Sequence, residues 1–80
     1  MKDMEFWRLQ DYVTVNGNEY LVSTVDIYIL GWETMVFRSI GDQMVIDYDE
    51  ISEYTRRYQS QKEAEQGHID TIISLRRKGK

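Results

Sequence analysis

The chain is 80 residues long, has no cysteine, no proline and a single histidine, and carries a formal net charge of −4. That length makes one small domain, residues 1–80, with a modest core, and the composition excludes disulfides, a thiolate zinc site and a multi-histidine metal site. The longest mostly apolar run, Tyr20 to Leu30, is interrupted by Ser23, Thr24 and Asp26 and is too short to span a bilayer.

Met1 to Gln10 carries Lys2, Asp3, Glu5 and Arg8 and no apolar h-region, so no signal peptide is expected. These residues are read as an edge strand, or as a segment packing Phe6, Trp7 and Leu9 on a sheet. Tyr12 to Val15 is rich in β-branched and aromatic residues and reads as a strand. Asn16-Gly17 follows, a pair that tolerates the positive φ angles of a type I′ turn. Asn18 to about Leu30 reads as a long second strand. Leu21, Val25, Ile27 and Ile29 share its odd face, which is expected to meet the core, while Tyr20, Thr24, Asp26 and Tyr28 share the other with Val22 as an exception.

Gly31 breaks that run, and Trp32 to Arg38 resumes as a third strand. Trp32 and Val36 share one face, and Met35 and Phe37 the other. A strand apolar on both faces is central or has its outer face covered. Ile40-Gly41-Asp42 makes a turn, after which Met44, Ile46 and Tyr48 alternate with Gln43, Val45 and Asp47 in a fourth strand. Asp49 to Tyr58 fits either a helical stripe or a strand. A fifth strand at about Glu53 to Tyr58 is preferred because paired tyrosines and Thr55 suit a pleated surface.

The periodicity changes at Ser60. Ser60 and Glu63 form S-x-x-E, the capping-box pattern of a helix start. From Gln61 to about Arg77, Ala64, His68, Ile69, Ile72, Ile73 and Leu75 fall within one broad arc, with Glu63, Gln66, Asp70, Ser74 and Arg77 opposite. Gly67 lies inside this helix at a cost of about 1 kcal/mol relative to alanine, which close packing against the sheet would explain. Residues 1–59 thus make the sheet and residues 60–78 the helix. The fold class is α+β, an antiparallel meander of four to five strands with one C-terminal helix packed on one face.

Charge changes sign at the same seam. Residues 1–59 hold eleven acidic and five basic side chains, a net −6, and residues 60–80 hold three acidic and five basic, a net +2. Asp47, Asp49, Glu50 and Glu53 form an acidic cluster. It lacks the spacing of a calcium loop, and no metal or other cofactor is expected. The cluster reads either as a solvated turn that discourages strand pairing or, with Trp32, as a surface that mimics nucleic-acid phosphate and engages a basic protein. The basic residues Arg76, Arg77, Lys78 and Lys80 offer weak, salt-sensitive contact to nucleic acid, or simply complement the helix dipole.

His68 needs a nucleophile or a second acid–base group to act in catalysis, and Glu65 and Ser60 are near it in sequence only. It reads as a structural histidine at the edge of the helix–sheet interface, bonded to a backbone carbonyl or a tyrosine. No phosphate-cradling loop, G-x-S-x-G or H-E-x-x-H occurs, and the expectation is a protein that is not an enzyme.

Three stretches carry a resemblance: Glu19-Tyr20 with Val22-Ser23-Thr24-Val25, then Glu33-Thr34-Met35-Val36-Phe37, then Arg57-Tyr58-Gln59-Ser60 with Glu63-Ala64 and Gly67-His68. Together they look like small proteins encoded by phages and prophages of Gram-positive bacteria. Where those proteins often have a longer glycine- and aromatic-rich loop before the Glu-Thr-Met element, this chain has the short Asp26 to Trp32 segment. The resemblance implies expression in the cytoplasm of a bacterial host cell. The expected function is binding of a host protein, as an accessory or counter-defence factor. The alternatives are a phage assembly or virion component that self-associates, as a homodimer through a sheet edge, and a weak nucleic-acid binder. No membrane association is expected.

Overall fold

A computed structural model describes residues 7–40, 43–45 and 54–78. Strand β1 (Arg8–Val15) and strand β2 (Asn18–Asp26) form an uninterrupted antiparallel hairpin from Arg8↔Val25 to Val15↔Asn18. Asn16 (φ 52°) and Gly17 (φ 83°) both take the positive φ that a type I′ turn requires, so the turn matches the right-handed twist of its strands. Strand β1 begins at Arg8, earlier than the Tyr12 start read from composition, because every residue from Arg8 onward finds a partner in β2.

The second strand ends at Asp26, short of Leu30. Tyr28–Leu30 forms a turn of 3-10 helix, closed where Ile27 N–H donates to the Gly31 carbonyl (2.8 Å). Ile29 and Leu30 therefore leave the sheet, and Ile29 is 99% exposed. The expected core face of β2 is also reversed. Tyr20, Val22 and Thr24, on the even face, are buried beneath the helix, whereas Leu21 and Val25 are half-buried on the other side. Both faces combine apolar and charged neighbours: Val22 stands opposite Val36 and Asp11 on the helix side, while Leu21 stands opposite Tyr12 and Phe37, and Val25 opposite Arg8 and Glu33, on the other. A single strand with apolar residues on both sides does not reveal which side its neighbours will favour.

Strand β3 (Trp32–Ile40) is central, as its two apolar faces suggest, and the even–odd sorting read from its sequence holds: Val36 is buried on the helix side with Trp32, opposite Met35 and Phe37. One edge of β3 pairs with β2. The other pairs with two short strands in succession, β4 (Gln43–Val45) against Arg38–Ile40 and β5 (Arg56–Tyr58) against Trp32–Thr34. The last two strands of the sheet thus share one edge instead of adding two new ones. The sheet has five strands. The fourth-strand positions Ile46, Asp47 and Tyr48 lie outside the described residues, as do Phe6 and Glu53, and among the described residues of the preferred fifth strand Arg56–Tyr58 is strand.

Helix α1 (Gln61–Lys78) starts as the capping pattern indicates. Glu63 N–H donates to the Ser60 hydroxyl (3.2 Å), and Ala64 N–H donates to the Ser60 carbonyl (3.0 Å). The reciprocal arm reaches one residue further than in the usual box: Glu63 Oε1 accepts from Gln59 N–H at 3.1 Å. Ala64, His68, Thr71 and Leu75 are the buried stripe, spaced as one helical face. Ile69 and Ile73, expected to face the core, are 50% and 39% exposed, and Ile72 is partly buried against the core. Leu75 closes a core of Val13, Tyr20, Val22, Val36 and Tyr54, and burying such a leucine contributes about 1.5–3 kcal/mol.

Candidate functional site

Four polar side chains meet in the seam between helix and sheet. Thr24 in β2 and Thr34 in β3 are cross-strand partners on the helix-facing side, with hydroxyl oxygens 2.5 Å apart. His68 descends from α1 onto them, its Nδ1 2.7 Å from Thr24 Oγ1. Its Nε2 lies 2.7 Å from Asp11 Oδ2, on edge strand β1. One continuous chain, Asp11–His68–Thr24–Thr34, therefore crosses three strands and ties each to the helix.

The chemistry of the donors gives this chain a direction. The Asp11 carboxylate only accepts, so Nε2 carries a hydrogen. With the ring neutral, Nδ1 then accepts from the Thr24 hydroxyl, which in turn accepts from the Thr34 hydroxyl. With the ring charged, Nδ1–H donates to Thr24, and Thr24 donates to Thr34. Every buried polar atom of the set has a partner in either state, as a buried network requires to be favourable.

An acid, a histidine and a hydroxyl in line also form the skeleton of nucleophilic catalysis. Burial decides against that use here. Thr24 and Thr34 are 0% exposed and the helix lies over them, so neither hydroxyl can meet a substrate. The His68 side chain is 3% exposed, and only Asp11, at 57%, reaches solvent. The constellation is a clamp between helix and sheet. His68 lies inside the interface and not at its edge, and its partners are the Thr24 and Asp11 side chains in place of the expected backbone carbonyl or tyrosine.

Tyr58 is the second convergence point. A Cβ on Gly67 would fall on the Tyr58 ring, and a Cβ on Gly31 would fall on the Tyr58 carbonyl oxygen. The glycine inside the helix leaves room for the hydroxyl end of the Tyr58 ring, which occupies the place a Cβ would take. Exchanging Gly67 for alanine sets a gain of about 1 kcal/mol in helix propensity against displacement of the Tyr58 ring from the Cβ position. We expect Gly67→Ala to destabilise the native chain by about 1–3 kcal/mol. In a Tyr58→Ala background the same substitution should become stabilising. Urea unfolding of the four chains of this double-mutant cycle checks the sign reversal.

Beside Tyr58, β5 and α1 leave a cleft of about 390 Å³ lined by Tyr54, Arg56, Tyr58, Gly67, Asp70 and Ser74. On the opposite sheet face Arg57 Nε donates to Glu33 Oε2 at 3.2 Å, an exposed pair that contributes little. Among the described residues no group of three His, Asp or Glu side chains could hold a metal ion, and no helix is long and apolar enough to cross a membrane.

The sequence-read surface residues fall in different places. Asp47, Asp49, Glu50, Glu53 and Lys80 lie outside the described residues. Trp32 is half-buried on the helix-facing side, with its indole nitrogen buried and without a hydrogen bond among the described residues. Arg76, Arg77 and Lys78 are exposed on the last turn of α1, where they complement the helix dipole. Lys78 Nζ sits 5.7 Å from the centre of the Tyr54 ring, a cation–π contact that ties the helix end to the core tyrosine. Compared with protein-family models, curated proteins and solved structures, the chain matches none of them.

Proposed function

We propose that this chain is a non-enzymatic binding module of phage or prophage type that acts in the cytoplasm of a bacterial host. It engages a host protein through the connection between β4 and β5. The observation that carries this reading is topological. Both β4 and β5 pair with the same edge of β3, so the connection that bears Asp47, Asp49, Glu50 and Glu53 leaves one sheet edge and returns to it. Anchoring both ends of a segment on rigid strands lowers the ordering cost of presenting it to a partner. Four carboxylates within seven consecutive residues, 47–53, suit a basic surface, and their attraction would raise the association rate at low salt.

The test is an affinity measurement against the host protein captured by the native chain from a Gram-positive lysate. Reversing all four charges (Asp47→Lys, Asp49→Lys, Glu50→Lys, Glu53→Lys) is expected to weaken binding by at least about tenfold and to flatten its salt dependence. Unchanged affinity, with the helical circular dichroism intact, would overturn the acidic-surface reading.

A further inference from the structure

The other edge of the sheet, β1, carries an inference independent of the host-protein reading, because it lies on the side of the sheet away from β4 and β5. Among the described residues, β1 pairs only with β2, and Arg8, Gln10, Asp11, Tyr12 and Thr14 are all exposed. In a hairpin closed by a two-residue turn, the residues flanking the turn exchange hydrogen bonds, and so does every second pair beyond. Val15, Val13, Asp11 and Leu9 are therefore bonded to β2. The Asp26 N–H that donates to the Trp7 carbonyl at 3.1 Å continues the same set. Gln10, Tyr12 and Thr14 consequently turn their N–H and C=O groups outward. Of the usual protections of such an edge, charged side chains, proline or a bulge, β1 carries only the charges of Arg8 and Asp11. Strand β1 has no lysine or proline, and its register to β2 is unbroken.

The helix extends this edge upward. Gly67, Asp70, Thr71 and Ser74 line the flank toward β5, and His68 reaches Asp11 on the other side. By helical spacing, Glu65, Ile69, Ile72 and Arg76 form the stripe on the flank over β1. Ile69 is half exposed. The order along this stripe is acidic, apolar, apolar, basic, which is complementary to itself when a second copy runs the opposite way.

The geometry points to a second copy of this chain as the occupant: a two-fold dimer in which the β1 edges pair antiparallel, with Tyr12 opposite Tyr12 of the second copy at the axis. A two-fold axis perpendicular to the sheet reverses strand direction and keeps both helices on one face. Charge selects the register. Centring the axis on Asp11 would oppose two carboxylates, which is destabilising across a strand pair. Centring it on Tyr12 sets Asp11 beside Val13, Leu9 beside Val15 and Gln10 beside Thr14 of the second copy. The outward-turned groups of Gln10, Tyr12 and Thr14 then bond one another. The row Tyr12–Leu21–Phe37 becomes continuous across the axis. Above it the antiparallel helices place Ile69 against Ile72 and Glu65 against Arg76.

The full chain has no cysteine, so single cysteines report the register directly. Sedimentation of the native chain should show a dimer. Under mild oxidation Tyr12→Cys should form a disulfide-linked dimer at least about tenfold faster than Thr14→Cys, because only position 12 faces itself. A mixture of Gln10→Cys and Thr14→Cys chains should cross-link as fast as Tyr12→Cys alone. Ile69→Lys, at an exposed helix position, should raise the dissociation constant at least about tenfold with the helical signal unchanged. A native chain that stays monomeric up to about 100 μM, or equal cross-linking rates at positions 12 and 14, would overturn the proposal.

Discussion

Replacing His68 with alanine should cost the fold about 3 kcal/mol or more, the largest loss from any single side chain in the helix–sheet seam. The ring is almost fully buried and satisfies Thr24 and Asp11 at once. Its removal opens a cavity and leaves the Thr24 and Thr34 hydroxyls only each other, in a place water does not reach. For a domain this small each kcal/mol lowers the melting midpoint by about 4–8 °C, so the variant should melt some 12–24 °C below the native chain. Asp11→Asn should cost far less, because the amide oxygen still accepts from Nε2–H and this end of the chain is half in solvent. Thermal and urea unfolding monitored at the helix signal checks both. A loss below about 1 kcal/mol for His68→Ala would show that the clamp does not hold the helix.

Gly31→Ala should be nearly as damaging, and for a backbone reason. Gly31 has φ of +98°, outside the range ordinary side chains adopt, and an added Cβ would press on the Tyr58 carbonyl oxygen. That carbonyl belongs to a strand pair, since Tyr58 stands opposite Trp32, so it cannot move without drawing β5 off β3. We expect a loss of about 2–4 kcal/mol and faster hydrogen exchange at the Trp32 and Tyr58 amides. Gly17→Ala is the control. Gly17 also has positive φ, at 83°, but nothing lies within 4 Å of its Cβ position, so only the conformational cost of about 1 kcal/mol remains. If the two substitutions destabilise equally, the contact with Tyr58 is not what Gly31 protects.

The two glycines and the histidine act on the same junction. Strand β5 is only Arg56–Tyr58, too short to hold its place by pairing alone. Gly31 admits its backbone and Gly67 admits its ring. The Asp11–His68–Thr24–Thr34 chain then fixes the helix that follows it. This explains how a domain without disulfides, and with few large buried side chains among the described residues, positions its C-terminal helix. Among the described residues no strand pairs with the outer side of β1, and the β4–β5 connection lies at the other edge of the sheet. Binding of a host protein at that connection is compatible with pairing of two copies at β1.

Features that depend on near neighbours were legible in the amino-acid order. The Asn16-Gly17 turn is local backbone chemistry, since two adjacent residues tolerate positive φ. The start of α1 follows from Ser60 and Glu63 reaching backbone groups within one turn. The helix length follows from a 3.6-residue period sustained over Gln61–Lys78. The central position of β3 was legible because its apolar residues occur on both faces. Gly67 signalled close packing because a glycine inside a helix carries a local cost that something distant must offset.

What only the tertiary structure decided depends on pairs far apart in the chain. The buried face of β2 was misread because Leu21, Val25, Ile27 and Ile29 outnumber Tyr20 and Val22 within that one strand. The helix covers the side where Val22 stands opposite Val36 and Val13 opposite Tyr20. Hydrophobicity alone points Ile69 and Ile73 inward, yet the stripe that meets the sheet is Ala64, His68, Thr71 and Leu75, where Thr24 and Asp11 give the histidine its partners. His68 lies 44 residues from Thr24 and 57 from Asp11, and no periodicity spans such distances. Hydrogen-bond partners over that range are set by strand register and by which face the helix covers. Both are properties of the assembled sheet, set by pairings between strands that no local pattern in one strand encodes.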